Sequence, residues 1–388
     1  MRMAFVKRAC LAIAILSVGA AVSLAARGQG RVGDDAGEAS ASERSSVGSL
    51  IPAPVMSTGR IAHSATALPD GRVLVAGGFL EEGSTKGAEI FDSDAGRFSP
   101  LPAMLATRHS HTATLLPDGK VLIAGGYGEG ATTLATAEIF DSKANSFAPT
   151  GSLLAARAGH VAALLDNGKV LIAGGLGPEW HFLSSAELYD PATGKFSSTG
   201  NMFVARESHV AVRLLDGRVL IVGGHRGRRE DIKLHASAET YDPNTGVLSR
   251  VGDMRVRRHK HDAVLLLDGR VLITGGSDER DNRGVYDSSE FFDPKTGTFT
   301  AGPQMKLGRY KHAGSSLLLP NGLVLIAGGA PQAEVYDPRV NSFVLVGGEA
   351  RIAGQFAAVA PVKGGGALIT GGYGNPAVAQ SAAWLYRP

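Results

Sequence analysis

The residues that recur with fixed spacing are where chemistry is sought first. An Arg-x-x-His pair appears at Arg60/His63, Arg108/His111, Arg157/His160, Arg206/His209, Arg258/His261 and Arg309/His312. Farther along, each arginine is matched by a glutamate: Glu89, Glu138, Glu187, Glu239, Glu290 and Glu334. Guanidinium groups brought round an axis could bind an anion. Carboxylates repeated in the same number neutralise them instead, as bidentate pairs in a structural ring. The histidines come one per unit, so the symmetry that builds the ring spreads them apart, and no metal centre is expected.

Departures from the repeat are more specific. In the last unit Arg351 persists, while Gly354 stands in place of histidine and Ala383 in place of glutamate. An arginine that has lost its carboxylate is a candidate anion contact. Trp180 and His181 stand together in a variable segment, where an indole could stack on a sugar or anchor a protein. Two long variable segments and the link between them are basic. They supply Arg226, Arg228, Arg229 and Lys233, then Arg255, Arg257 and Lys260, then Arg280 and Arg283. Such a sector favours acidic glycans or an acidic protein. No catalytic residue, metal ligand or cofactor is assigned.

These residues must be positioned by a repeated element. Leu68-Pro-Asp-Gly-Arg-Val-Leu-Val-Ala-Gly-Gly78 reads as strand, tight turn, strand and stop. Its Gly-Gly pair returns at Gly125, Gly174, Gly223, Gly275, Gly328 and Gly371, a spacing of roughly 50 residues that means propellers or solenoids. The second strand is apolar at every position, as in Val121-Leu-Ile-Ala124, so both its faces are expected to be buried. A third strand carries Ala-Glu-Ile-Phe91 and its relatives. An Asp-Pro-x-Thr-Gly turn and a fourth strand marked by Phe98, Phe147, Phe196, Leu248, Phe299 or Phe343 follow. Four antiparallel strands per unit, repeated radially, give a seven-bladed all-β propeller. The last copy lacks a fourth strand. Val47-Gly-Ser-Leu50 resembles Thr150-Gly-Ser-Leu153, read as the fourth strand that precedes the third unit, and is expected to supply the missing strand and close the last blade.

The 388 residues, 44% of them hydrophobic, suffice for one large closed core. A net charge of +3 with no basic tail does not point to nucleic acid. Residues 1–25 have the form of a signal peptide, with Arg2, Lys7 and Arg8 ahead of an apolar run. Residues 26–46 read as a polar spacer, and 47–388 as the propeller. The one cysteine, Cys10, precedes the expected cleavage point, so the mature chain has neither disulfide nor thiolate. A secreted or periplasmic monomer, without a membrane span after cleavage, is expected.

Double glycine after an apolar strand, arginine before the first strand and Tyr-Asp-Pro after the third resemble the kelch-repeat family over Val47 to Pro388. Kelch units usually carry Trp in the fourth strand, where Phe or Leu stands here. The phrase from His111 through Gly126 is also similar to the central propeller of galactose oxidase. That oxidase's copper chemistry implies a cysteine cross-linked to tyrosine, which the mature chain lacks. The resemblance leaves two readings. One is a propeller that binds a protein or glycan partner through the loops joining the second to the third strand and one unit to the next. The other is a kelch-type carbohydrate-active enzyme similar to a sialic-acid mutarotase.

Overall fold

The computed structural model describes residues 47–348, 351–352, 354–374 and 376–388; the leader, the spacer and Cys10 lie outside these residues. Seven four-stranded antiparallel sheets follow one another round a central axis, each in the order a-b-c-d. In blade one the strands are Ser64–Ala67, Val73–Ala76, Ala88–Asp92 and Arg97–Pro100. In blade three they are Val161–Leu164, Val170–Ala173, Ala186–Asp190 and Lys195–Ser198.

Blade stacking follows from the two-residue period of a strand. In strand b of blade one, Val73 and Val75 face blade seven, where they meet Ala360, Leu368 and Ala383. Leu74 and Ala76 face blade two and meet Val121, Ile123 and Phe140. A strand packed on both faces has no polar side, hence the unbroken Val-Leu-Val-Ala. Across strands c and d an aromatic pair recurs in register, Phe91 with Phe98 at 4.9 Å and Tyr189 with Phe196 at 4.8 Å between ring centres. Such cross-strand pairs pin the outer strand.

The ring closes through the N-terminus. Ser49–Ala53 pairs antiparallel with Ala383–Arg387, Ile51 opposite Leu385, and completes blade seven. The strand runs two residues further on than Val47–Leu50. Val47 instead accepts a hydrogen bond at its carbonyl from the Tyr386 hydroxyl at 2.6 Å.

The b–c loops and d–a links emerge at one end of the wheel, the a–b and c–d turns at the other. At the second end, Asp118, Gly119, Lys120, Asp141, Ser142 and Lys143 line a depression of about 320 Å³. It is made of repeated turn residues, with Lys120 spent on Asp118 at 3.1 Å. Among the described residues no helix is long and apolar enough to cross a membrane.

Candidate functional site

The repeated arginines are all paired with their glutamates. Arg60, Arg108, Arg157, Arg206, Arg258 and Arg309 are buried and lie 2.6–2.9 Å from Glu89, Glu138, Glu187, Glu239, Glu290 and Glu334. Each guanidinium also donates to the carbonyl of the first glycine of its Gly-Gly pair, as Arg157 does to Gly174 at 2.9 Å. Each glutamate accepts a backbone N–H from the d–a link, as Glu187 does from Leu154 at 2.7 Å. The pair therefore ties link, strand c and Gly-Gly stop together. Nε of Arg60, Arg206 and Arg258 has no partner among the described residues but is buried away from an outside anion. Burial depresses His63, His160 and His312 to about 3, so these rings are neutral. Several reach a hydroxyl of the neighbouring blade, as His63 Nε2 does Thr370 at 2.8 Å.

Blade seven corrects the reading of Arg351. Elsewhere the ring arginine's carbonyl accepts the second Gly-Gly N–H of the preceding blade, as Arg309 does from Gly276. In blade seven that acceptor is Gly354, bonded by Gly329 at 2.6 Å. The link is shortened by two residues. Ile352 takes the place of Met305, which precedes its arginine by four positions, while Gly354 follows Ile352 by two. Arg351 therefore stands outside the ring and is exposed. The strand register also moves the glutamate position: Ala383 pairs with Thr370 as Ala88 does with Ala76, so Trp384, opposite Ile369, stands where Glu89 stands opposite Val75. Ring arginine and partner glutamate are absent together, as Gly354 and Trp384, so no buried charge is stranded.

Two positions per blade converge on the axis at the b–c/d–a end. The residue after the ring arginine pairs with the residue after Gly-Gly: Ile61 with Phe79, His109 with Tyr127, Ala158 with Leu176, Glu207 with His225, His259 with Ser277 and Gln355 with Tyr373. Innermost come Ala62, Ser110, Gly159, Ser208, Lys260, Lys311 and Phe356, linked by blade-to-blade backbone hydrogen bonds such as Lys311 N–H to Lys260 at 2.9 Å. Backbone φ is positive at all seven.

One side of this mouth is polar. His225 and His259 oppose their Nδ1 atoms at 3.2 Å. His225 Nε2 lies 3.5 Å from Glu207, and His259 Nε2 lies 3.7 Å from Asp281. Lys260 bonds Asp281 at 2.7 Å. Gly159 makes room for Glu207: a Cβ there would sit 2.7 Å from Glu207 Oε1. Burial raises the Glu207 carboxyl, opposed by Lys260 and Arg228. Burial, then Lys260, takes His225 down to about 3, and burial takes His259 well below the usual range. Both imidazoles are thus neutral, with one proton between the Nδ1 atoms. Each Nε2 faces a different carboxylate. Among the described residues no three His, Cys, Asp or Glu side chains are placed to hold one metal ion.

The other side is aromatic. Trp180, 40% exposed, lies 6.5 Å from Tyr127, and the Arg228 guanidinium covers its ring at 3.3 Å. Glu207 and Arg228 both act on the Tyr127 hydroxyl, which places all four groups together. Trp180 and Asp281 have φ of 63° and 59°; the first is shared with Ala131 (φ 60°) in the matching turn of blade two, so it belongs to the repeated loop geometry.

The remaining basic residues are less concentrated than their sequence implies. Arg257 bonds Glu279 at 2.9 Å and Arg280 bonds Asp278. Arg226 and Lys233 are exposed on a small hairpin, and His181, Arg255 and Arg283 are exposed. Arg229 begins the turn Arg229–Asp231, and its side chain lies outside the described residues. Glu207, Lys311, Tyr127, His109 and Tyr373 escape a reading by motif. Their signal is that these positions vary between units whose neighbours do not.

The kelch motif family matches residues 157–203, which contain most of blade three. No curated protein matches the chain. Among solved structures it is similar to a novel fungal alcohol oxidase with catalytic diversity among the AA5 family, in complex with copper. That match has 15% identity and a TM-score of 0.68, and covers 88% of this chain and 76% of the oxidase. It is also similar to YjhT, with 14% identity and a TM-score of 0.59, covering 76% of this chain and 99% of YjhT. At such identities the likeness is one of fold. Seven Gly-Gly units, their four-stranded blades and the matched motif together make this chain a kelch-repeat β-propeller protein.

Proposed function

We propose that the protein is an exported binding propeller whose axial mouth takes the saccharide part of a glycan. The observation that carries this reading is the grouping of exposed Trp180 and Arg228 with half-buried Glu207 at one edge of the axis, over the buried Tyr127 ring. Sugars present apolar C–H faces to aromatic rings and hydroxyls to charged acceptors and donors, and this edge offers both. Lys260 and Asp281 add a second charged pair across the mouth. Exposed Arg226 and Lys233 on the rim favour an acidic glycan over a neutral one.

A glycan array probed with residues 47–388, then calorimetry on its best ligand, tests this. Trp180→Ala and Glu207→Gln are each expected to weaken binding roughly ten-fold or more. Equal affinity of both variants and the parent overturns the reading.

Glu207 also supports a second reading. A carboxyl raised by burial and set 3.5 Å from a neutral imidazole is suited to moving protons on a bound sugar. Copper chemistry of the fungal oxidase's kind does not fit these residues. The two imidazoles turn Nδ1 toward each other, and among the described residues no third ligand shares a centre with them.

A further inference from the structure

Lys311 is a buried amine at the axis that the saccharide reading does not use. It is 5% exposed and stands in the innermost ring between Lys260 and Phe356. Its Nζ donates to the Tyr373 hydroxyl at 2.7 Å. The rings of Tyr310, Tyr373 and Phe356 surround it at 4.9, 5.5 and 5.7 Å. Among the described residues no carboxylate pairs with it. Asp281, the acid whose field reaches it, is bonded by Lys260. A lysine enclosed by aromatic rings, denied a counter-ion and set beside a second lysine is the environment that makes an amine nucleophilic.

We propose that Lys311 condenses with the carbonyl of a small aldehyde or open-chain α-hydroxy aldehyde and holds it at the mouth as an imine. This goes beyond the saccharide reading and stands whether or not Trp180 and Glu207 bind a glycan. The Nζ lone pair forms a bond to the carbonyl carbon as the C=O π pair moves onto oxygen. That oxygen takes a proton through the Tyr373 hydroxyl, which recovers one from the nitrogen. The carbinolamine then takes up one proton from solvent and expels its hydroxyl as water. The net change is amine plus aldehyde plus a proton giving iminium plus water, with nothing oxidised or reduced. The aromatic cage suits the step, because it stabilises the iminium as it does the ammonium.

Several groups face Nζ from the elements packed on it: Tyr310, Tyr373, Lys260 and, farther off, Asp281. Burial and then Lys260 lower the amine to about 8, with Asp281 opposing. At about pH 7.5 the free-base fraction then exceeds that of an ordinary lysine by roughly two orders of magnitude.

The test uses residues 47–388, glycolaldehyde and cyanoborohydride, with peptide mass spectrometry to locate reduced adducts. Lys311 is expected to be labelled roughly ten-fold faster at about pH 7.5 than exposed Lys143, Lys195 and Lys233, which serve as internal controls. Lys311→Arg should lose that adduct and keep the others. Tyr373→Phe, with Lys311 intact, should slow labelling at this site alone. Lys260→Met should move the midpoint of its pH profile upward, which a merely packed lysine would not report. Labelling that simply follows exposure, with Lys311 at or below the controls, overturns the inference. So does a Lys311 pH profile unmoved by Lys260→Met.

Discussion

Removing one partner of a ring pair should cost more than removing both, and the pair in blade six gives the clearest case. Arg309 and Glu334 are completely buried and 2.9 Å apart. Arg309 also donates to Gly328 at 2.7 Å and Gln332 at 2.6 Å, while Glu334 accepts from Lys306 at 2.7 Å and Leu307 at 3.0 Å. Glu334→Ala strands a buried guanidinium, at about 3–5 kcal/mol. It also strands two partly buried N–H groups at about 1 kcal/mol each, for a total of about 5–7 kcal/mol. Arg309→Met with Glu334→Leu leaves no charge, and only four backbone groups lose partners, so about 2–4 kcal/mol is expected. Blade seven, with Gly354 and Trp384 at the two positions, is the natural precedent. Urea unfolding followed by tryptophan fluorescence would measure both variants. If the double variant falls as far as Glu334→Ala, to within about 0.5 kcal/mol, the electrostatic reasoning is wrong.

Other expectations follow from single residues. Gly159→Ala puts a Cβ 2.7 Å from Glu207 Oε1 at a φ of 60°. It should cost about 1–2 kcal/mol in a melt and weaken ligand capture by displacing that carboxylate. Asp262 is buried and accepts the N–H groups of Gly314, Ser315 and Ser316, and burial raises it to about 6. Its folded value exceeds its unfolded one. Its contribution is therefore fully present below about pH 4 and is lost as pH rises through about 6. Against Asp262→Asn, the parent should gain stability as pH falls from about 7 to 4.5, and a flat difference in unfolding free energy would contradict this. Deleting residues 47–53 should expose the edge of Ala383–Arg387 and produce aggregation visible by light scattering.

The wheel is legible in the chain because each blade repeats the same local instructions. Strand b is apolar throughout, Asp-Gly or Asn-Gly sets the hairpin, and one aromatic faces another across c and d. Closure is legible in outline, since the last unit lacks a fourth strand and an unassigned piece precedes the first. The match of residues 47–50 to 150–153 is out of register, however: the latter lie in the link after Ser146–Pro149, and the closing strand is Ser49–Ala53. The mouth is not legible in the same way. Glu207, His225, the adjacent His259 and Lys260, and Lys311 come from separate segments of the chain and meet only when the blades close. Each also occupies a place where the repeat tolerates any residue. Arg351 shows the opposite failure. Its spacing imitates the motif, but the shortened link hands the ring position to Gly354. Backbone hydrogen bonding decides that register, and a side-chain pattern does not carry it.

The central claim is that the working surface is the axial mouth at the b–c/d–a end. The direct measurement compares ligand affinity of two sets of variants by calorimetry, Trp180→Ala with Glu207→Gln at the mouth and Asp118→Asn with Lys143→Ala at the opposite end. The account predicts that the mouth pair lowers affinity at least roughly ten-fold while the opposite pair leaves it unchanged. Affinity lost at Asp118 and Lys143, and kept at Trp180 and Glu207, would contradict it.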